Sequence, residues 1–150
     1  MTRSAAAALV LTVAAVGCRP RPDVRVLVDD RLAGPVEQIA VLYEQRTGQH
    51  VHLALVSRGR MAVMLVSGRD DLAFAEADQV DARPVTGGLD RDSRRDFAVR
   101  GHERYAVILR DRASGRPEAR SFWRFSVDAE ARAILASAGV SAPRRGGGGA

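Results

Sequence analysis

The chain has 150 residues, a formal net charge of +5 and one cysteine. That length supports one domain around one core, and a lone cysteine excludes an internal disulfide, so apolar burial must hold the fold. All 23 basic residues are arginine, and they alternate with acids, as in Arg110-Asp111-Arg112 and Asp90-Arg91-Asp92; this is a solvated surface and excludes the basic stripe of a nucleic-acid binder.

The first element is a basic start at Arg3 followed by an apolar run from Ala5 to Val16 and then Gly17-Cys18. A charged start, roughly 7–15 apolar residues and small residues before a cleavage point predict a secretory signal over residues 1–17. The run falls short of the roughly 20 residues that span a bilayer. Ala15-Val16-Gly17-Cys18 resembles the lipobox of bacterial lipoproteins, in which the thiol is acylated and becomes the new N-terminus. Ala15 stands where the usual lipobox has leucine. An ordinary signal with an incidental cysteine is the alternative, but Cys18 has no other cysteine to pair with. The lipobox implies an extracytoplasmic or periplasmic protein held to the cell membrane or the outer membrane. Arg19 does not match the aspartate that retains some lipoproteins at the inner membrane. Residues 18–23, with Arg19-Pro20-Arg21-Pro22, read as a stiff, extended tether.

Val24 to Val28 is apolar, β-branched and bounded by Asp29-Asp30, which predicts a buried strand. Leu32, Val36, Ile39 and Tyr43 then fall on one face of a helix, with Pro35 in its first turn and Gly48 as its left-handed end. Val51–Val56 is a second strand, and Met61, Met64 and Leu65 mark a second helix closed by Gly68. Asp71 to Ala75 is a third, short strand. Strands and helices alternating over such short connections predict a parallel α/β sheet, with the functional edge at the carboxyl ends of the strands. From Asp81 to Asp96, Pro84, Gly87, Gly88 and a run of charges predict a loop. Phe97 to Val99 and Tyr105 to Leu109 read as two further strands. Pro117 opens a helix with Ala119, Phe122 and Trp123 on one side. Asp128 caps a last helix whose Ala131, Ile134 and Leu135 face inward, ending at Gly139 with Val140 in a Schellman contact. Residues 142–150 end in a glycine-rich tail that reads as disordered.

Three ordered segments resemble the molybdate-type solute-binding proteins of bacterial ABC transporters, which have the type II periplasmic binding fold. The first is Val24 to Val28 running into Glu37-Gln38-Ile39-Ala40 and Tyr43 to Gly48. The second is Leu55-Val56-Ser57-Arg58-Gly59-Arg60-Met61, followed by Asp71 to Asp78. The third is Tyr105 to Arg110, then Pro117 to Phe122, then Glu130 to Leu135 with Ala138-Gly139-Val140. The resemblance implies a three-layer α/β sandwich with a mainly parallel sheet over residues 24–141. It also implies a binding protein rather than an enzyme, with a small anion as ligand, an ABC permease as partner and no cofactor.

Two departures bear on the site. The family is bilobal, and here residues 79–103 are a short replacement for most of the second lobe, too short for a core of their own. In the family, serines after the first and second strands bind the oxyanion at helix N-termini. Those positions are Arg31 and Arg58 here, with Ser57 and Gly59 beside the second. Helix N-termini suit anions, and a guanidinium adds charge and a planar fork suited to carboxylate or phosphate. The expected ligand-binding residues are therefore Arg31, Ser57, Arg58 and Gly59. The alternative is that both arginines are surface residues, with Arg31 paired to Asp29 or Asp30. Loss of the second lobe and both serines also leaves open a lipoprotein that acts as an interaction or structural module. His50 and His52 share one side of a strand without the further ligands of a metal site, and no catalytic motif surrounds Ser57.

Overall fold

The computed structural model describes residues 23–82 and 88–143. The expected signal over residues 1–17, the expected acylation site Cys18, most of the expected tether, part of the loop with Pro84 and Gly87, and the tail from Arg144 lie outside the described residues.

Five strands form one sheet in the order β2-β1-β3-β5-β4. β1 is Val24–Asp29, β2 is Val51–Val56, β3 is Leu72–Glu76, β4 is Arg95–Arg100 and β5 is Glu103–Leu109. β1 runs parallel to both β2 and β3. β5 then enters antiparallel to β3, with Phe74 opposite Val107, and β4 lies antiparallel on β5. The sheet is thus mixed: the three strands joined by helical crossovers are parallel, as such connections require, and the last two are a hairpin turned at Gly101-His102. The hairpin strand β4 falls within residues 79–103, the segment expected to be too short for a core of its own, and its Phe97 and Ala98 are buried in the main core.

Alternation along the strands sends side chains to two helical layers. Val24, Val26, Val28, Leu72, Phe74, Tyr105, Val107 and Leu109 pack with Val36, Ile39, Tyr43, Phe122 and Leu135. Those partners come from α1 (Ala33–Thr47), α4 (Pro117–Ser126) and α5 (Ala129–Ser137). Phe74 anchors this layer, with its ring 4.6 Å from Phe97 and 6.4 Å from Phe122. On the other face Leu27, Ala73, Ala75 and Ile108 meet Met61, Leu65 and Val80, from α2 (Arg58–Ser67) and the short α3 (Ala77–Asp81). This second layer is thin, so Val63 and Val66 of α2 stand 66% and 59% exposed.

The caps follow the local chemistry. Gly48 ends α1 at φ 65°. Asp128 accepts from the Glu130 and Ala131 amides at 2.9 and 3.0 Å. Gly139 and Val140 close α5, with the Val140 amide on the Leu135 carbonyl at 2.9 Å. Gly68 ends α2 for a different reason. A Cβ there would lie 2.1 Å from both Arg110 Nη2 and Asp70 Oδ1 and 2.6 Å from the Met64 carbonyl, so only glycine fits this close approach.

Candidate functional site

The carboxyl edge of the sheet collects the ends of β1, β2 and β3 and, because β5 is antiparallel, the start of β5. β1 ends in Asp29, which is fully buried. Its carboxylate accepts the Arg31 amide at 3.1 Å, opening a 3-10 turn over Asp30–Leu32. α1 begins only after that turn, at Ala33, and its N-cap Leu32 has no side-chain cap. Arg31 therefore precedes the helix, and its amide is spent on Asp29 rather than offered to a ligand.

The Arg31 side chain also turns to Asp29, through Nε at 3.1 Å and Nη2 at 3.2 Å. It continues to Glu76 through Nη2 and to Glu103 through Nη1, the latter at 2.5 Å. Hydrogen bonding to Asp29 holds its guanidinium protonated well above the ordinary value. Its Cζ lies 5.6 Å over the Tyr105 ring, and Arg100 donates to its carbonyl at 2.9 Å.

Arg58 approaches the same carboxylates from α2. Its Nη2 is 3.0 Å from Glu76 Oε2 and its Nη1 is 3.9 Å from Glu103 Oε1. Its side chain is 62% exposed, whereas that of Glu76 is 7% exposed. Ser57 is the N-cap of α2 and makes no side-chain cap bond. The first amides of a helix have no carbonyl one turn back, so Ser57, Arg58 and Gly59 present unspent donors at an exposed, electropositive end. Gly59 has nothing within 4 Å of where a Cβ would lie, so this end is open.

The structure thus brings Arg31 and Arg58 together on one carboxylate, Glu76. The sequence pointed to Asp29 as a partner of Arg31, and the structure shows that pair; it did not point to Glu76 or Glu103. A signal for Glu76 exists: it is the one acid ending the apolar strand Leu72-Ala73-Phe74-Ala75, at the edge where a functional residue belongs. Glu103 carries no such signal, because its place depends on β5 entering antiparallel. Tyr105 donates to Glu103 Oε2 at 2.8 Å. That bond, then Arg31, draws the Glu103 carboxyl below its ordinary range. Burial, then Glu103, pushes the Tyr105 phenol up. Three carboxylates, Asp29, Glu76 and Glu103, thus face the two guanidiniums of Arg31 and Arg58.

The two histidines lie at the opposite, amino edge. Their rings are 4.6 Å apart, with His50 on Glu44 at 2.7 Å and His52 on Asp23 at 2.9 Å. Among the described residues no group of three or more His, Cys, Asp or Glu is placed to hold a metal ion.

No protein-family model matches the sequence, and no curated protein sequence matches it. Solved structures do. The periplasmic molybdate-binding protein of Azotobacter vinelandii superposes with a TM-score of 0.73 at 11% identity, over 81% of this chain and 100% of that one. A substrate-binding domain from Clostridium difficile, ascribed to a molybdenum ABC transporter, gives 0.71 at 9% identity, over 81% of this chain and 99% of that one. Glycosylated PEB3 gives 0.63 at 10% identity, over 81% and 100%. At these identities the likeness speaks for the fold alone: this chain has the molybdate-type periplasmic binding fold, built as a single α/β lobe with a five-stranded mixed sheet.

Proposed function

We propose that the protein is a lipid-anchored, extracytoplasmic solute-binding domain of an ABC-type importer that takes a small oxyanion of the molybdate or tungstate class, or a related anion. One observation carries this reading. Arg31 and Arg58 converge on the single carboxylate of Glu76 beside the N-terminus of α2, and a seat that holds a carboxylate with two guanidiniums has the chemistry to hold an oxyanion. The ligand residues are Arg31, Ser57, Arg58 and Gly59, and Glu76 occupies the seat in the ligand's absence. The structural neighbours, a molybdate-binding protein and a molybdenum transporter domain, support the ligand class.

The seat opens to solvent at Arg58, so water screens its contacts. The expected dissociation constant is on the order of 10 μM to 1 mM, corresponding to about 4–7 kcal/mol. Calorimetry with molybdate, tungstate, sulfate and phosphate tests the reading. Arg58→Ala should remove most of the heat, and Arg124→Ala on α4 should leave it intact. Absence of heat with every anion, in the folded wild type and in a Glu76→Ser variant, overturns anion binding.

A second reading has its own support. Glu76 and Glu103 already satisfy both guanidiniums, as they would in an interaction or structural lipoprotein that has given up its ligand. Isolation of a stable complex with an envelope protein unrelated to transport, together with silent calorimetry, would favour it.

The anchor is tested separately. Two acyl chains hold a protein to a membrane stably, whereas one is marginal. Cys18→Ser should move the protein from the salt-washed membrane fraction to the soluble fraction or leave it uncleaved. Wild-type protein recovered as soluble, with a free thiol at Cys18, removes the lipoprotein reading.

A further inference from the structure

The amino edge of the sheet, opposite the Arg31–Arg58 seat, carries a second concentration of charge. Three stretches of chain meet there: the entry at Asp23, the α2–β3 connection and the segment after β5. They line a groove of about 570 Å³ formed by Asp23, Arg25, Arg69, Asp71, Arg112 and Arg116. Its acids are committed. Asp71, with its side chain 6% exposed, takes Arg116 Nη1 at 2.6 Å and the Arg25 amide at 3.0 Å. Asp23 takes His52 at 2.9 Å, and its carbonyl accepts from Arg116 Nη2 at 3.2 Å.

The arginines exceed the acids. Among the described residues Arg112 donates to the Asp70 carbonyl, at 2.9 Å. Among the described residues Arg25, Arg69 and Arg112 form no ion pair, in contrast to Arg31 and Arg58 at the other edge. Three guanidiniums thus line one groove with no ion-pair partner of their own, beside two acids already committed elsewhere, which is an arrangement for an external anion.

What surrounds the groove identifies the occupant. Arg25 and Arg69 also line an adjoining slit of about 250 Å³ together with Leu53, Ala54, Met64, His52 and Asp70. Val66 stands 59% exposed at the end of α2, three residues before Arg69. Cationic side chains bordering exposed apolar surface match the headgroup boundary of a bilayer, whereas a free inorganic anion needs only the charge. The chain ahead of the groove points the same way. Asp23 is a wall of the groove, and Arg19, Arg21 and Cys18 precede it in sequence. Five residues reach at most about 18 Å, so an acylated Cys18 keeps the groove within about two Debye lengths of the membrane surface.

We propose that the groove at Arg25, Arg69 and Arg112 binds the phosphate headgroups of anionic phospholipids and sets the domain down on the membrane by the amino edge of its sheet. The orienting part of this argument rests on the proposed acylation of Cys18, and the headgroup chemistry does not. Such a pose turns the Arg31–Arg58 edge away from the bilayer.

The test uses chain starting at residue 18 with Cys18→Ser, so that no acyl chain contributes. Cosedimentation is measured with vesicles of phosphatidylcholine alone and with vesicles containing about one third phosphatidylglycerol. Binding is expected only to the anionic vesicles, falling steeply between 50 and 300 mM salt. The triple variant Arg25→Glu, Arg69→Glu, Arg112→Glu should lose at least about tenfold in partitioning. Arg60→Glu, Arg104→Glu, Arg124→Glu, with the same change of charge elsewhere, should lose much less. Circular dichroism confirms that both variants are folded. Equal binding to both vesicle types, equal loss in both triple variants, or displacement by 10 mM inorganic phosphate overturns the proposal. Molybdate calorimetry on the groove variant should match that of the parent chain, and the membrane fractionation of Cys18→Ser reads the anchor alone. Failure of the groove is therefore distinguishable from failure of either earlier reading.

Discussion

Glu76→Ser should raise the affinity for molybdate or tungstate by about ten- to a hundredfold over the wild type. The wild-type seat is filled by its own carboxylate, which competes as a tethered ligand. Charge-assisted hydrogen bonds of this kind contribute about 1.5–3 kcal/mol, so the seat is open in only about one molecule in ten to one in a hundred or fewer. Observed affinity falls by that fraction. Serine removes the competitor and frees Arg58, the Arg31 Nη2 hydrogen that Glu76 held and the first amides of α2. Arg31 still has Asp29 and Glu103, and Arg58 is largely in solvent, so the fold should survive the change. Glu76→Gln is the informative intermediate: it removes the charge and keeps the volume, and its gain should fall between wild type and serine. Titration calorimetry of the three proteins gives the order. Equal and measurable affinity in all three would mean that the anion binds somewhere other than this seat.

The largest stability effect is expected at Arg110. Its side chain, 4% exposed, holds the equally buried Asp70 through Nε and Nη2 at 3.0 and 3.1 Å. It also donates to the Met64 carbonyl at 2.9 Å and to the Leu65 carbonyl, which are among the last carbonyls of α2. One guanidinium thus neutralises a buried acid and caps a helix whose C-terminus carries partial negative charge. Arg110→Ala leaves Asp70 charged and unpaired and should cost about 3–5 kcal/mol, read as a lower denaturant midpoint. Replacing both partners, Arg110→Leu with Asp70→Leu, should recover part of that loss, because the uncompensated charge has gone. A cost below about 1 kcal/mol for Arg110→Ala would show that water reaches the pair. Anion binding at the opposite edge should be unchanged when measured where the variant is folded.

The period of the apolar residues determined most of the architecture. Leu32, Val36, Ile39 and Tyr43 share a face at helical spacing, and the compact runs of β1 and β3 are legible because both of their faces are covered. Asp128, Gly139 and Val140 were readable for a local reason, since a cap bonds to residues only a few positions away. The resemblance carried by short segments in order pointed to a fold that the solved neighbours share at 9–11% identity. Backbone packing can thus persist where side-chain identity has not.

Tertiary structure alone decided the sheet's mixed character and the chemistry of its carboxyl edge. An apolar strand such as β5 reads the same in either direction, so its antiparallel entry, and with it the place of Glu103 and Tyr105, depends on long-range pairing. Arg31 and Arg58 were legible as cations at the expected positions. Asp29 was legible as a partner of Arg31 because it lies two residues away, whereas Glu76 and Glu103 were not, because they come from two other strands. The same holds for Arg25, Arg69 and Arg112, which are scattered in sequence and share a groove only because three connections meet at the amino edge. Local periodicity is a property of neighbours along the chain. Charge pairing acts through space, over distances of about 3–4 Å that only the folded arrangement sets.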